Sequence, residues 1–171
     1  LVNLVRNEPA RRLTHSPGRE HDVSWSKDGK SLYYIANADG ADRVHRLTLD
    51  DGVGRVVWSA PGAASCPRPS PDGAWVAFWL DGDWGGLYVC RTDGSAPRRL
   101  THAPGARSWP YGGGAILWAP DSSRLVYGVR RPGNSVNLWT ISLNGDDAMN
   151  LTALAAGHWL PVFAPNGRYL L

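Results

Sequence analysis

The chain has 171 residues, enough for one domain with a hydrophobic core, and 43% of them are hydrophobic while 19% are charged, which excludes a disordered polymer. The formal charge is only +3, and no basic run is interleaved with aromatic residues, which argues against nucleic acid as a partner. No apolar run reaches the roughly 18 residues that a membrane-spanning helix needs, so no membrane span is predicted. Twenty Gly and 13 Pro against one Met predict many turns and an all-β chain.

Residues 1–14 open the chain with two short strand-like runs separated by a polar turn. They predict the last two strands of a partial unit. Their end, Arg11-Arg12-Leu13-Thr14, recurs as Arg98-Arg99-Leu100-Thr101 and in weaker form at 149–152. A tetrad that returns at the end of successive units indicates an internal repeat.

Residues 20–59 form the first complete unit. Its first two strands are joined by the turn Asp28-Gly29, because glycine accepts a positive φ and aspartate caps the neighbouring backbone. Alternation of apolar and polar residues marks the strands. The predicted strands are 21–25, 31–36, 43–49 and 54–58.

Two more units repeat this order over 65–101 and 107–152, and a partial unit follows over 157–171. In the third unit Ser122 stands where glycine is expected in the first turn, which makes the geometry of that turn an open question. An insertion at 108–114 lengthens the same unit. The turn residues at 28, 72, 121 and 166 recur at intervals of 44, 49 and 45 residues, a repeat length that predicts propeller blades of four strands.

The sequence therefore predicts a single all-β domain, a β-propeller of four-stranded antiparallel blades with three complete blades and two partial ones. The partial pieces at the two ends could complete one another and close a ring of four blades. Alternatively, the chain is a fragment of a larger ring. An open edge strand promotes association, so a homodimer through the open edges of the propeller is the third arrangement.

No catalytic or metal-binding motif is recognisable in the sequence. Residues 93–97 resemble a nucleophile elbow but lack its second glycine. His21 and Asp22 are adjacent in a predicted strand, so their side chains are expected on opposite faces, unable to pair. Cys66 and Cys90 lack metal-ligand spacing, and the strand expected between them predicts two buried thiols rather than a disulfide. We therefore predict no catalytic residue, no metal and no cofactor.

The pattern Trp-Ser-x-Asp-Gly-x-x-Leu-x-Tyr, followed by further Asp-Gly turns and Arg-Arg-Leu-Thr, resembles the WD-like β-propeller repeat of the TolB family. The best matches are Trp25–Lys30, Pro67–Gly73 and Pro161–Gly167, and the resemblance covers essentially the whole chain. Similar propellers occur in the periplasmic TolB protein, which docks other envelope proteins. They also occur in tricorn-type and prolyl-oligopeptidase-type peptidases, where they gate a catalytic domain. The resemblance implies a periplasmic or other extracytoplasmic location.

We expect a non-catalytic scaffold that binds protein or peptide through the loops leading into the innermost strands. The first alternative is the substrate-gating propeller of a larger serine peptidase, and the second is a carbohydrate-binding propeller, which the nine Trp residues favour. Aromatic and arginine side chains anchor many interfaces. The candidate binding residues around the channel mouth are Arg19, Glu20, His21, Arg68, Arg107, Trp109, Tyr111, His158 and Trp159.

Overall fold

The computed structural model describes residues 9–59, 62–101, 116–130, 136–152, 161–164, 166–167 and 169–170. These residues form three antiparallel sheets of four strands each, and one short 3₁₀ turn at Gly82–Trp84 is their only helical element. The prediction of an all-β fold with four-stranded antiparallel blades is thereby confirmed. The insertion at 108–114 lies outside the described residues, as do parts of both partial units, and the closure of the ring stays a prediction. No helix in the described part of the chain is long and apolar enough to cross a bilayer.

Each sheet contains four strands that follow one another in chain order, and each sheet is one blade. Blade 1 contains β1 (Arg19–Trp25), β2 (Ser31–Ala38), β3 (Ala41–Thr48) and β4 (Gly54–Ser59). Blade 2 contains β5 (Ala64–Pro69), β6 (Trp75–Leu80), β7 (Gly86–Arg91) and β8 (Arg98–Arg99). Blade 3 contains β9 (Ile116–Trp118), β10 (Arg124–Arg130), β11 (Val136–Ser142) and β12 (Met149–Asn150).

The turn between the first two strands of each blade has the same local geometry. In blade 1 the Asp28 carboxylate accepts a hydrogen bond from the backbone N–H two residues later (3.0 Å), and Gly29 has a φ of +70°. In blade 3 the Asp121 carboxylate makes the equivalent bond (3.0 Å), and Ser122 takes the glycine position with a φ of +63°. Serine therefore keeps the turn. Its buried hydroxyl compensates for the strained backbone, because it accepts a hydrogen bond from the N–H of Asp72 in blade 2 (3.0 Å).

Neighbouring blades pack face to face through apolar side chains. One core joins blades 1 and 2, and a second core joins blades 2 and 3. All six residues of β6 are buried because this strand has a neighbouring blade on both sides. The largest fully buried side chains of these two cores are Tyr33, Ile35, Phe78, Trp79, Leu87, Ile116, Leu125 and Ile141.

The first strand of each blade is the innermost. β1 lies against β5, and β5 lies against β9. The Ser24 hydroxyl donates to the carbonyl oxygen of Pro67 (2.6 Å), and the indole N–H of Trp118 donates to the carbonyl oxygen of Arg68 (2.8 Å). These contacts between successive first strands are the arrangement expected around a propeller axis.

The innermost strands of blades 1 and 2 each contain a β-bulge. The register shifts around one residue with a positive φ in each strand, Asp22 (+55°) and Cys66 (+54°). The Asp22 carboxylate accepts the backbone N–H of Cys66 (3.0 Å), so the two bulges are in contact. The expectation that His21 and Asp22 cannot pair is wrong, because the bulge rotates Asp22 out of the strand alternation. Its carboxylate oxygen lies 3.5 Å from Nδ1 of His21.

Cys66 and Cys90 are both buried thiols outside any disulfide, as the sequence predicted. β6 lies between the strands that carry them. Burial raises the pKa of the Cys90 thiol to about 12. This thiol is therefore neutral at ordinary pH and packs as a small apolar group.

Candidate functional site

A pocket of about 280 Å³ opens on the face of blade 1 that points away from blade 2. Its walls come from β1, β2 and β3 on one side and from residues 11–14 on the other. Leu13 packs against the apolar side chains of this face, chiefly Leu32, Tyr34 and Leu47. Residues 11–14 thus cover part of the face and leave the pocket between themselves and β1.

Glu20 contributes a carboxylate to the pocket wall in which one oxygen has no protein partner. Its Oε2 accepts a hydrogen bond from the hydroxyl of Thr14, whereas its Oε1 is buried and has no hydrogen-bond partner. Thr14 is itself held in place, because Nε of Arg12 donates to its carbonyl oxygen (2.6 Å). Burying a carboxylate oxygen without a donor is costly. A ligand with an ammonium or amide N–H group would remove this cost.

Tyr34 lines the pocket, and its ring packs on His45, which lies behind the pocket wall. The rings of Tyr34 and His45 are stacked, with centroids 5.2 Å apart and an interplanar angle of 27°. Burial lowers the pKa of His45, and the positive charge of Arg43 lowers it further. Burial also raises the pKa of the Tyr34 hydroxyl, to which the negative charge of Glu20 adds. Both rings are therefore neutral at pH 7.

Apolar and basic side chains complete the pocket. Val23 lines it and is 62% exposed. Arg11 and Arg12 also line it and are exposed residues. The pocket therefore combines a carboxylate, guanidinium groups and an apolar surface within one small volume.

The structure brings together only some of the predicted binding residues. Glu20 and His21 line the pocket, and Arg19 precedes them at the start of β1, where it pairs with Asn37. Arg68 does not line this pocket; it lies in β5 of blade 2, where its guanidinium donates to the carbonyl of Pro67 (3.1 Å). Arg107, Trp109, Tyr111, His158 and Trp159 lie outside the described residues. A ring of binding residues around a channel mouth therefore stays a prediction.

Sequence reasoning missed the contribution of residues 11–14 to this pocket. The available signal was the repeated tetrad, since Arg99 donates to the carbonyl of Thr101 (2.8 Å) as Arg12 donates to that of Thr14. In blade 2 the Thr101 hydroxyl accepts the buried N–H of Leu87 (2.9 Å). Thr14 instead uses its hydroxyl to hold Glu20. The same repeat position thus has a structural role in blade 2 and a place in the pocket of blade 1.

Within the described ranges, no group of three or more His, Cys, Asp or Glu side chains is arranged to hold a metal ion. The pocket at Glu20 contains one carboxylate and one imidazole.

Comparison with solved structures identifies the architecture. TolB from Acinetobacter baumannii superposes with a TM-score of 0.76 at 17% identity, and the match covers 96% of this chain and 40% of that one. The β-propeller domain of the Trilobed protease from Pyrococcus furiosus superposes with a TM-score of 0.60 at 18% identity, covering 83% and 45% of the two chains. The fold is a β-propeller. The expected likeness to TolB-type and peptidase-type propellers is confirmed as a likeness of fold.

Sequence comparison finds a relative that is named as a peptidase. The uncharacterized peptidase YuxL of Bacillus subtilis is 28% identical over 156 residues, which cover 69% of this chain and 23% of YuxL. No protein-family model matches the chain. The chain spans about a quarter to a third of the length of the curated relatives it matches.

Proposed function

We propose that this chain is a non-catalytic propeller scaffold that binds a peptide or a protein segment in the pocket of blade 1. The observation that carries the proposal is Glu20, which lines that pocket and whose buried Oε1 has no hydrogen-bond partner. A free amino terminus would donate to this oxygen. The apolar side chain of the first ligand residue would contact Val23 and Leu32, and acidic groups further along would approach Arg12.

The rigidity of the site supports this role. Glu20, His21 and Val23 lie on β1, and Leu32 lies on β2, so the carboxylate and the apolar contacts are on sheet strands. Blade 1 is held from the opposite side by its apolar core with blade 2. A preformed site of this kind binds without a large ordering cost.

The test is calorimetric titration of the whole chain with the tripeptide Leu-Ala-Ala, with and without N-acetylation. We expect binding of the free amine only. Glu20→Gln should weaken it about tenfold to a hundredfold, because a hydrogen bond to a charged group contributes about 1.5–3 kcal/mol. Asp28→Asn removes a charge from an exposed turn and serves as the control. Equal affinity for the acetylated peptide, or for the Glu20→Gln variant, would refute the site.

A second candidate function is the substrate-gating propeller of a larger serine peptidase. Its support is the similarity to YuxL, which is named as a peptidase, and the fold likeness to the Trilobed protease propeller. The coding sequence that follows the codon for Leu171 in the genome tests it. A hydrolase domain with a serine nucleophile is expected there under this candidate, and a stop codon or an unrelated domain would remove it.

Two further expectations concern the location of the protein and the alternative of carbohydrate binding. An extracytoplasmic location is supported by the fold likeness to TolB, and fractionation of the native cells with an antibody against the chain would test it. Carbohydrate binding depends on Trp109, which lies outside the described residues. Retention on a polysaccharide column that is lost in Trp109→Ala would support that alternative, and absence of retention would remove it.

A further inference from the structure

Ser31 and Trp75 hold the same position in blades 1 and 2, three residues after the aspartate of the first turn of each blade. The indole of Trp75 is 8% exposed and packs in the core that blade 2 shares with blade 3. The Cζ atoms of Arg91 and Arg98 lie 4.0 and 5.0 Å from the centroid of its ring. An aromatic ring in contact with two arginines therefore fills the corner between blades 2 and 3.

Between blades 1 and 2 the corresponding corner contains a pocket of about 420 Å³. Its lining on blade 1 includes Arg46, Thr48 and Arg55. Each of these residues holds, by strand register, a position that lies around Trp75 in blade 2. Their equivalents there are Val89, Arg91 and Arg98 respectively. The pocket thus takes the place of the indole, because blade 1 has the small side chain of Ser31 where blade 2 has a tryptophan.

Arg46 and Arg55 lie directly opposite each other on adjacent strands, so their side chains share one face of the sheet. Two like charges in this arrangement destabilise a strand pair. Arg46 is held in place, because its Nε donates to the hydroxyl of Ser31 (3.1 Å) and its Cζ lies 5.9 Å from the ring centroid of Tyr33. Among the residues whose structure is described, neither arginine takes part in an ion pair. A carboxylate between the two guanidinium groups would relieve their repulsion.

Two acidic side chains, those of Asp51 and Asp93, line the same pocket. Oδ1 of Asp51 accepts the backbone N–H of Val53, and Oδ1 of Asp93 accepts that of Ser95, both at 2.9 Å. These turns fix both carboxylates at the pocket. Together with the two arginines, they give the pocket two positive and two negative charges. A ligand that matches it carries both an anionic and a cationic group.

We propose that this pocket binds an aromatic amino acid. The ring takes the place that the indole of Trp75 has in blade 2, and it stacks on the guanidinium group of Arg55. The carboxylate of the ligand lies between Arg46 and Arg55, and its ammonium group faces Asp51 and Asp93. The volume suits such a ligand, since sites for small molecules measure about 300–1,000 Å³.

This site is separate from the pocket at Glu20 and goes beyond the proposed peptide binding. Arg46 is on the face of β3 that also carries Val44 of the core with blade 2. Leu47 is on the opposite face, where it lines the pocket at Glu20. A change at one pocket is therefore expected to leave the other intact.

The experiment is calorimetric titration of the full chain carrying Glu20→Gln, so that the peptide site does not contribute. The compounds are L-tryptophan, indole-3-propionate, which lacks the ammonium group, tryptamine, which lacks the carboxylate, and L-alanine, which lacks the ring. We expect L-tryptophan to bind about tenfold or more tightly than each of the others, because each of them lacks one group that the pocket matches. Equal affinity for any of the three, or no binding of L-tryptophan, overturns the proposal.

Variants at equivalent positions of two blades locate the site. Arg55→Met should weaken the binding of L-tryptophan about tenfold or more, because a charged hydrogen-bond donor is lost. Arg98→Met is the matched control, since Arg98 already has an indole against it in blade 2, and it should leave the affinity unchanged. Equal affinity of the Arg55→Met chain and the unchanged chain, or an equal loss in Arg98→Met, overturns the proposal.

A change on the acidic side of the pocket gives a second, independent readout. Asp93→Asn alters an exposed side chain, and it should weaken the binding of L-tryptophan but not that of indole-3-propionate. Circular dichroism should show unchanged β-structure in every variant. An Asp93→Asn chain that binds L-tryptophan as tightly as before contradicts the assigned ammonium contact and overturns the proposal. Titrating the Arg55→Met chain with Leu-Ala-Ala tests the peptide site by itself, so the two proposals can fail independently.

Discussion

Gly94 is a point where the backbone of blade 2 meets the backbone of blade 1 directly. It lies in the turn after β7 with a φ of +89°, and a Cβ added to it would lie 2.4 Å from the carbonyl oxygen of Val57 in β4. Gly73, in another turn of the same blade, has a φ of +73° and nothing within 4 Å of the added Cβ. Replacing each glycine by alanine therefore separates backbone strain from contact between blades.

The expected magnitudes follow from these two environments. Alanine in the left-handed region costs about 1–2 kcal/mol, which is the whole effect expected at Gly73. At Gly94 the collision with a backbone oxygen adds a further cost of about 1–3 kcal/mol, the usual range for overpacking. Gly94→Ala should thus lower the free energy of unfolding by about 2–5 kcal/mol and Gly73→Ala by about 1–2 kcal/mol.

Urea unfolding followed by circular dichroism measures the free energy of unfolding of both variants, and thermal unfolding measures their melting temperatures. For a chain of this size, the additional cost at Gly94 corresponds to a melting temperature lower by about 2–12 °C than that of Gly73→Ala. Equal stability of the two variants would show that blades 1 and 2 are not packed as described. A variant of Gly73 that is the less stable of the two would refute the reasoning on strain.

Three further predictions concern single groups. Asp22→Ala should lower the free energy of unfolding by about 1–3 kcal/mol, because the buried N–H of Cys66 loses its acceptor. Asp22→Asn should cost less than half as much, and equal losses of the two variants in urea unfolding would contradict this. Hydrogen bonds from the backbone of Ser142 and from Arg124 lower the pKa of Asp147 to about 2, so an NMR titration should find that value and Arg124→Gln should raise it toward 3.8. Because the folded pKa is depressed, this stabilisation is complete above about pH 4 and is lost as the pH falls toward 2. Cys66 and Cys90 are buried and should not react with a thiol reagent at pH 8 until denaturant is added; rapid reaction of the native chain would contradict their burial.

The strands could be predicted because local signals and the repeat agree. The turn at Asp28-Gly29 and the alternation after it predicted a strand over 31–36, and the structure has β2 at Ser31–Ala38. The prediction for residues 54–58 matches β4, Gly54–Ser59, to within one residue. The turn at Ser122 could not be decided from the sequence. What allows serine there is a hydroxyl contact with the N–H of Asp72 in another blade.

The β-bulges could not be predicted for a related reason. Nothing in residues 20–25 marks Asp22 as the one residue with a positive φ, because the bulge is fixed by the N–H of Cys66, 44 residues away. Strict strand alternation over 21–25 predicts that His21 and Asp22 cannot pair, and the bulge makes that prediction wrong. Contacts between repeats cannot be predicted from the sequence of a single repeat.

The candidate site was predicted only in part. Glu20 and His21 were selected by their position before the innermost strand, and both line the pocket. The role of Thr14 was missed, because in the repeated tetrad this position caps a strand, as Thr101 does. The two threonines differ in their neighbours, because Thr14 lies beside the Glu20 carboxylate and Thr101 lies beside the backbone N–H of Leu87.

The complete burial of β6 has a consequence for how the chain opens. Blades at either side of blade 2 are each held by fewer neighbours among the described residues, so they can separate while the central sheet stays intact. In repeat proteins stability is roughly a sum of units and their interfaces, and local opening starts where an interface is missing. The backbone amides of Trp75–Leu80 should therefore exchange with deuterium more slowly than those of β1 or β12. Their protection would report the global unfolding free energy of the whole array.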